Sequence, residues 1–224
     1  MKKNKPRPLM VAIVGGSGAG KTWLAEKLLR AFRTMAIRVS LDDFYRDRSG
    51  LSAARRAKIN FDHPVAIDWA SLETALNRLR NNHSTPLPCY DFKTHCRLTR
   101  EKILQPKPIV IVDGLWLLRR PRLRGLFDLK IFIECPSQTR LQRRLIRDLV
   151  LRGRTAASVR EQFRETVEPM HAKFVVPQKR WADVVLPADF GEREVQRLAD
   201  AIKVATDHKA DVPVRRSIAV ARRN

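Results

Sequence analysis

A chain of 224 residues that is 44% hydrophobic can bury a sizeable core in one domain. Its net charge of +22 favours polyanionic ligands, and part of that charge sits at the ends, on Lys2, Lys3, Lys5 and Arg7 and on Lys209, Arg215, Arg216, Arg222 and Arg223. No apolar run approaches the roughly 18 residues of a membrane span, and Cys89, Cys96 and Cys135 lack the spacing of a disulfide framework or zinc site, so a cytoplasmic protein with reduced thiols is expected.

In chain order, Leu9 to Val14 reads as a short buried strand that breaks into GGSGAGKT. That stretch, Gly15, Gly16, Ser17, Gly18, Ala19, Gly20, Lys21 and Thr22, fits G-x-x-x-x-G-K-[ST] in full, with a helix starting near Lys21. Glycines bring backbone N–H groups close to phosphate, and the helix N-terminus adds its positive dipole end. Lys21 would reach the β- and γ-phosphates of ATP, and Thr22 would ligate Mg²⁺. Further strands are expected over 37–41 (IRVSL), 109–113 (IVIVD), 129–134 (LKIFIE) and 183–186 (DVVL). Between them, 81–108 carries Pro86, Pro88, Pro106 and Pro108 around CYDFKTHCRLTR and reads as an inserted loop or hairpin that supplies specificity. Apolar strands alternating with helices imply an α/β fold with a parallel sheet covered on both faces.

Ligands of such sheets bind beyond the carboxyl ends of the strands, which selects the glycine loop, then Asp42, Asp43 and Tyr45, then Asp113. Asp113 closes IVIVD as a Walker B acid would and could bind Mg²⁺ directly or through water; a turn cap beside Gly114 is the alternative. One of Asp42 and Asp43 could accept a proton from an attacking hydroxyl; the alternative is an N-cap for a following helix. A helix over 138–151 sets Leu141, Leu145 and Leu149 on one face and Arg140, Arg143, Arg144 and Arg147 elsewhere. Gly153, between Arg152 and Arg154, makes the stretch about 140–160 a candidate lid whose arginines close on phosphates and exclude water, against the plainer reading of a solvated basic face.

Taken in order, GGSGAGKT, LDDFYRD, NFDHPVAIDWASL, PCYDFKTHCR, IVDGLWLL, RLQRRLIRDLVLRGR, QFRETVEPMH and VVPQKRWADVVLP resemble the uridine kinase and phosphoribulokinase group of P-loop kinases from about residue 9 to 187. The resemblance implies a P-loop NTPase fold with a five-stranded parallel core, helices on both faces, a small β-hairpin over the acceptor site and a helical, arginine-rich lid. It implies ATP-dependent phosphorylation of uridine, and cytidine too, at the 5′-hydroxyl with Mg²⁺, often in a homotetramer. By position it makes Asp42 the base, with Tyr45 nearby, and sets Asp62 and Arg144 on the ribose. Tyr90, Phe92 and His95 would surround the pyrimidine together with Phe61, Arg154 and Gln162, while Arg147 and Arg152 would lie near the ATP phosphates. The chain departs from the group's pattern at Asp113, where Glu is typical, at Asp43, where Ser is common and a second carboxylate could raise one pKa, and at Trp23. Residues 1–207 are thus expected to form a single kinase domain, followed by a basic, flexible tail over 208–224. Rival readings are a kinase of another small sugar or sugar phosphate, a nucleotide sensor that only binds, and a nucleic-acid-binding P-loop ATPase. The last lacks aromatics interleaved with its charge, which leaves nucleic-acid contact as non-specific only.

Overall fold

The structure, a computed structural model, describes residues 5–207; the expected tail over 208–224 lies outside them, as do the side chains of Ala57, Leu151 and Arg152. The first half of the chain runs β1 (Leu9–Gly15), α1 (Lys21–Phe32), β2 (Ala36–Ser40), α2 (Ala53–Ala57), α3 (Trp69–Arg80), β3 (Thr85–Asp91), β4 (Cys96–Leu104) and β5 (Ile109–Gly114). The second half runs α4 (Pro121–Arg124), β6 (Leu129–Ile133), α5 (Ser137–Arg152), α6 (Ala156–Gln162), α7 (Glu168–Met170), β7 (Val184–Leu186) and α8 (Glu192–Asp207).

Five strands pair in parallel in the order β2-β5-β1-β6-β7. Strand β1 shows why the sheet is buried on both sides. Its even positions, Met10, Ala12 and Val14, join one core with α3 and the Trp116–Leu118 segment, whereas Leu9, Val11 and Ile13 join a second core with Leu24 and Leu28 of α1 and Leu198 and Ile202 of α8. Side chains alternate faces every residue, so a continuous apolar run is what a doubly covered strand requires. The register sets both Ile13 and Ser40 opposite Asp113, which brings the carboxyl ends of β1, β2 and β5 to one place.

Strands β3 and β4 lie outside that sheet as an antiparallel hairpin, within the proline-bearing stretch. Its inner face buries Leu87, Tyr90 and Leu104. Arg97 fastens it, donating from Nε to the Tyr45 carbonyl at 2.8 Å and from its guanidinium to Asp68 Oδ2 at 3.2 Å.

The arginine-bearing side of α5 is not simply a solvated basic face: Arg140, Arg144 and Asp148 form a buried stripe, while Leu149 is 44% exposed. The reason is what the helix faces: Arg140 and Arg144 reach the glycine loop, Glu168 of α7 and Gln162 of α6 rather than an apolar layer. The chain from Phe163 to Val175 stays helical through Pro169 by opening into wide turns over Phe163–Val167 and His171–Val175, which relieve the missing proline N–H.

Candidate active site

The loop between β1 and α1 is shaped by what surrounds it. Gly18 and Gly20 have φ of 81° and 104°, a region that favours glycine, and a Cβ on Gly18 would lie 2.6 Å from the Arg140 carbonyl oxygen. Gly15 and Gly16 keep ordinary φ; a Cβ on Gly16 would meet Arg140 Cδ and His171 Nδ1, both at 2.8 Å. Lys21 donates to the Gly16 carbonyl at 2.8 Å, and its ammonium is held below its ordinary pKa by burial, against the pull of Asp42 and Asp113.

The expected strand over 37–41 ends at Ser40, and Leu41–Phe44 forms a tight turn. Ser40 Oγ accepts the Asp42 N–H at 3.3 Å, so Ser40 caps this turn and neither aspartate does. Burial, followed by the Asp42 charge, pushes the Asp43 carboxyl up to about 6. Asp113 is not a backbone cap either. Arg38 Nε donates to its Oδ1 at 2.7 Å and a terminal N–H to its Oδ2 at 3.1 Å, while the same guanidinium reaches Thr22 Oγ1 at 3.4 Å. The oxygens expected to face a metal therefore converge on one cation, and the donor set fits a positive charge.

A single cavity of about 970 Å³ joins this acidic end to an aromatic one. Lys21, Thr22, Asp42 and Asp113 line the first end, with Ser17, Gly18 and Gly20 of the loop; Gly15, Gly16 and Ala19 lie behind it and do not. Tyr45, Phe61, Asp62, Tyr90, Phe92 and His95 line the other end, and Arg144, Arg147, Arg154 and Gln162 close the side. The aromatic cluster is a set of mutual ring contacts. Tyr45 lies 5.1 Å from Tyr90, 5.8 Å from Phe61 and 6.1 Å from Phe92. The His95 ring stacks on Phe61 at 4.3 Å with only 12° between the planes, held there from a residue with φ of 56°. Burial pushes the Tyr90 hydroxyl up to about 12, so the ring stays neutral. Asp62 accepts from the Thr166 hydroxyl at 3.2 Å.

The arginine side of the cavity is a chain of polar contacts. Arg144 donates to Ser17 Oγ at 3.1 Å and to Gln162 Oε1 at 2.8 Å, and Arg154 donates to the same oxygen. Arg147 pairs with Asp148 at 2.8 Å. Arg152, grouped with Arg147 by sequence, is the last residue of α5, and its side chain lies outside the description. Sequence reasoning missed Arg38, which stands in a strand it treated only as apolar, and left Arg143 as one of several helix arginines. Arg143 lines the cavity and ties the Ala19 carbonyl (3.3 Å) to the Ala188 carbonyl (2.9 Å). A cation within an otherwise apolar strand that ends in acids was the available signal for Arg38.

The sequence model of the Phosphoribulokinase / Uridine kinase family matches residues 10–195. The uridine kinase of Clostridium perfringens is 41% identical over 182 residues, covering 81% of this chain and 88% of that protein. The uridine kinase of Halalkalibacterium halodurans is 37% identical over 206 residues, covering 91% and 98%. Among solved structures, the phosphoribulokinase from Rhodobacter spheroides superposes with a TM-score of 0.62 at 18% identity, over 81% of this chain and 70% of that one. The D-glycerate 3-kinase from Cryptococcus neoformans does so with a TM-score of 0.55 at 20% identity, over 78% and 81%.

Proposed function

The chain belongs to the phosphoribulokinase and uridine kinase family, and from that premise we propose that it transfers the γ-phosphoryl group of ATP to the 5′-hydroxyl of uridine, with cytidine as a second acceptor, in nucleoside salvage. The observation that carries this reading is the one cavity with a phosphate-binding loop at one end and a ring cluster at the other.

In the proposed reaction the loop from Gly15 to Thr22 cradles the donor phosphates through backbone N–H groups, and Lys21 moves its ammonium from the Gly16 carbonyl onto the transferring group. Asp42 accepts the proton of the 5′-hydroxyl as that oxygen bonds to the γ-phosphorus and the bond to the bridging oxygen breaks. Asp42 suits this role better than Asp43, because Asp42 lines the cavity between the glycine loop and the ring cluster and Asp43 does not. Thr22 and Asp113 would hold Mg²⁺, whose chemistry when bound is to neutralise charge on the β- and γ-oxygens. Arg38 must yield Asp113 for that to happen.

At the other end Tyr45, Phe61, Tyr90, Phe92 and His95 offer faces and edges to a planar base, and Asp62 accepts from a ribose hydroxyl. Arg144 holds the sugar with Asp62, Arg154 and Gln162 complete the base pocket, and Arg147 and Arg152 close over the phosphates and exclude the water that would otherwise take the phosphoryl group. A cytoplasmic setting belongs to the same proposal, supported by three free cysteines, and no helix among the described residues is long and apolar enough to cross a membrane. So does assembly into a homo-oligomer, which the family resemblance supports.

A product assay with Mg·ATP and a panel of acceptors tests the reading. Uridine should exceed thymidine by at least about tenfold, because Asp62 loses a hydroxyl partner in the deoxynucleoside. Ribulose 5-phosphate or free ribose as the best acceptor would overturn the base pocket and the uridine assignment together.

A further inference from the structure

A second cleft, of about 780 Å³, opens between the segment after β5 and the helical segment after α7, and it shares no lining residue with the active-site cavity. It is lined by Arg119, Arg122, Lys173 and Arg180 and by the rings of Phe174 and Trp181. No acidic residue lines it. Of its cations, Arg120 is paired with Glu73 at 3.0 Å, but among the described residues no carboxylate is within ion-pair distance of Arg119, Arg122, Lys173 or Arg180. Four like charges in one cleft repel each other in the folded state, a cost that an anion removes.

The cations are also held in place. The Arg119 guanidinium lies 4.7 Å from the Phe174 ring, and Arg180 and Arg124 each lie 4.2 Å from the Trp181 ring. Stacking orients a guanidinium plane and leaves its N–H edge free, so little side-chain entropy is lost when an oxyanion arrives. The floor is fixed by Gln178, which is fully buried and donates to the Leu115 carbonyl at 2.8 Å and the Phe174 carbonyl at 2.9 Å while accepting the Leu118 N–H at 2.9 Å. Both walls are thereby tied together before any ligand binds. With the ring faces already carrying guanidiniums, the cleft offers charge and N–H donors rather than a stacking surface for a base.

We propose that this cleft is a binding site for a small anion of three or more linked phosphates, recognised through the phosphates and separate from the donor site. The volume suits a small molecule, and forked guanidiniums match phosphate oxygens two at a time.

The test uses inorganic tripolyphosphate as the probe, titrated calorimetrically into the full chain carrying Lys21→Met, which weakens binding at the glycine loop. About one equivalent should still bind, and adding Arg122→Gln and Lys173→Gln should weaken it at least tenfold. Both of these side chains are exposed, so the fold should tolerate the change, and the same pair in an otherwise unaltered chain should leave kcat and KM for uridine as they were. Quenching of Trp181 fluorescence on binding, lost in Trp181→Phe, would locate the ligand independently. The proposal is overturned if the Lys21→Met protein binds no tripolyphosphate, or if the two glutamines leave its affinity unchanged. It is equally overturned if a 20-nucleotide RNA binds the cleft while tripolyphosphate does not, since the surface would then read a nucleic-acid backbone.

Discussion

Replacing Arg38 by Met tests whether a resident guanidinium holds the acid at the end of β5. The Asp113 side chain is 5% exposed and that of Arg38 25%, and two N–H donors at 2.7 and 3.1 Å join them. Removing one partner of a fully buried pair costs about 3–5 kcal/mol, because the other charge stays behind without compensation. Lys21 shares the Asp113 field and Arg38 is partly solvated, so we expect about 2–3 kcal/mol here. For a chain of this size that corresponds to a fall in Tm of roughly 5–10 °C. Thermal unfolding with and without Mg·ATP is the assay. The variant should be rescued by Mg·ATP by a larger increment than the wild type, since a cation then returns to Asp113. Arg38→Lys, which keeps the charge and loses the fork, should fall between the two. If Arg38→Met melts with the wild type and gains no more from Mg·ATP, the pair does not stabilise the site and the argument fails.

The remaining expectations concern the reaction and its pH range. Asp42→Asn should keep ATP affinity and lower kcat by about two to four powers of ten, measured at saturating nucleoside; near-normal turnover would remove it as the base. His95→Ala should raise the KM for uridine and leave that for ATP close to normal, since its ring lies on Phe61 at the far end of the cavity; parallel rises in both would contradict the pocket. His171 is pushed down to about 4 by burial and then by Arg140, so its stabilising contribution is present above pH 6.5 and lost as pH falls toward 4. His171→Gln should accordingly flatten the decline of Tm between pH 7 and 5. Asp43 has the opposite sign: with its folded pKa raised to about 6, its contribution is largest in acid and falls as pH rises from about 4 to 7, and Asp43→Asn should remove that fall.

What the sequence made legible was what depends on local pattern. Each sheet strand carried enough apolar residues to be found to within a residue or two, and the glycine loop was readable because its spacing is its mechanism. The hairpin was visible as an interruption, although only contacts as remote as Arg97 with Tyr45 say where it folds. Contacts between distant residues left no such trace. Phe61 and His95 stack across 34 positions of sequence, and nothing in either neighbourhood announces the other. Arg38 drew no notice in its apolar strand, and only the register that sets Ser40 beside Asp113 brings its guanidinium to that acid. The buried side of α5 was hidden for a sharper reason. Helical periodicity sorts apolar from charged residues but does not say which side is buried, and here the buried stripe is polar because it meets the glycine loop.

That inversion has a mechanical consequence. A surface helix with an apolar inner face is tied to its core by area, which is indifferent to small displacements; α5 is tied by directed bonds. Arg140 binds Glu168 of α7, has its backbone oxygen against Gly18 and shares the space beside Gly16 with His171, while Arg144 joins Ser17 to Gln162 of α6. The loop that would grip phosphate in the proposed reaction and the helices that would close over it are therefore linked through two arginines. When phosphate enters, Arg144 would gain a stronger acceptor nearby than the Ser17 hydroxyl or the Gln162 amide oxygen. Exchange of those partners would shift α6 as well as the loop, so occupation of the donor site and closure over the acceptor become one event. An enzyme that must keep water from its phosphoryl group benefits from that order, because the lid has no reason to close before there is a phosphate to hold.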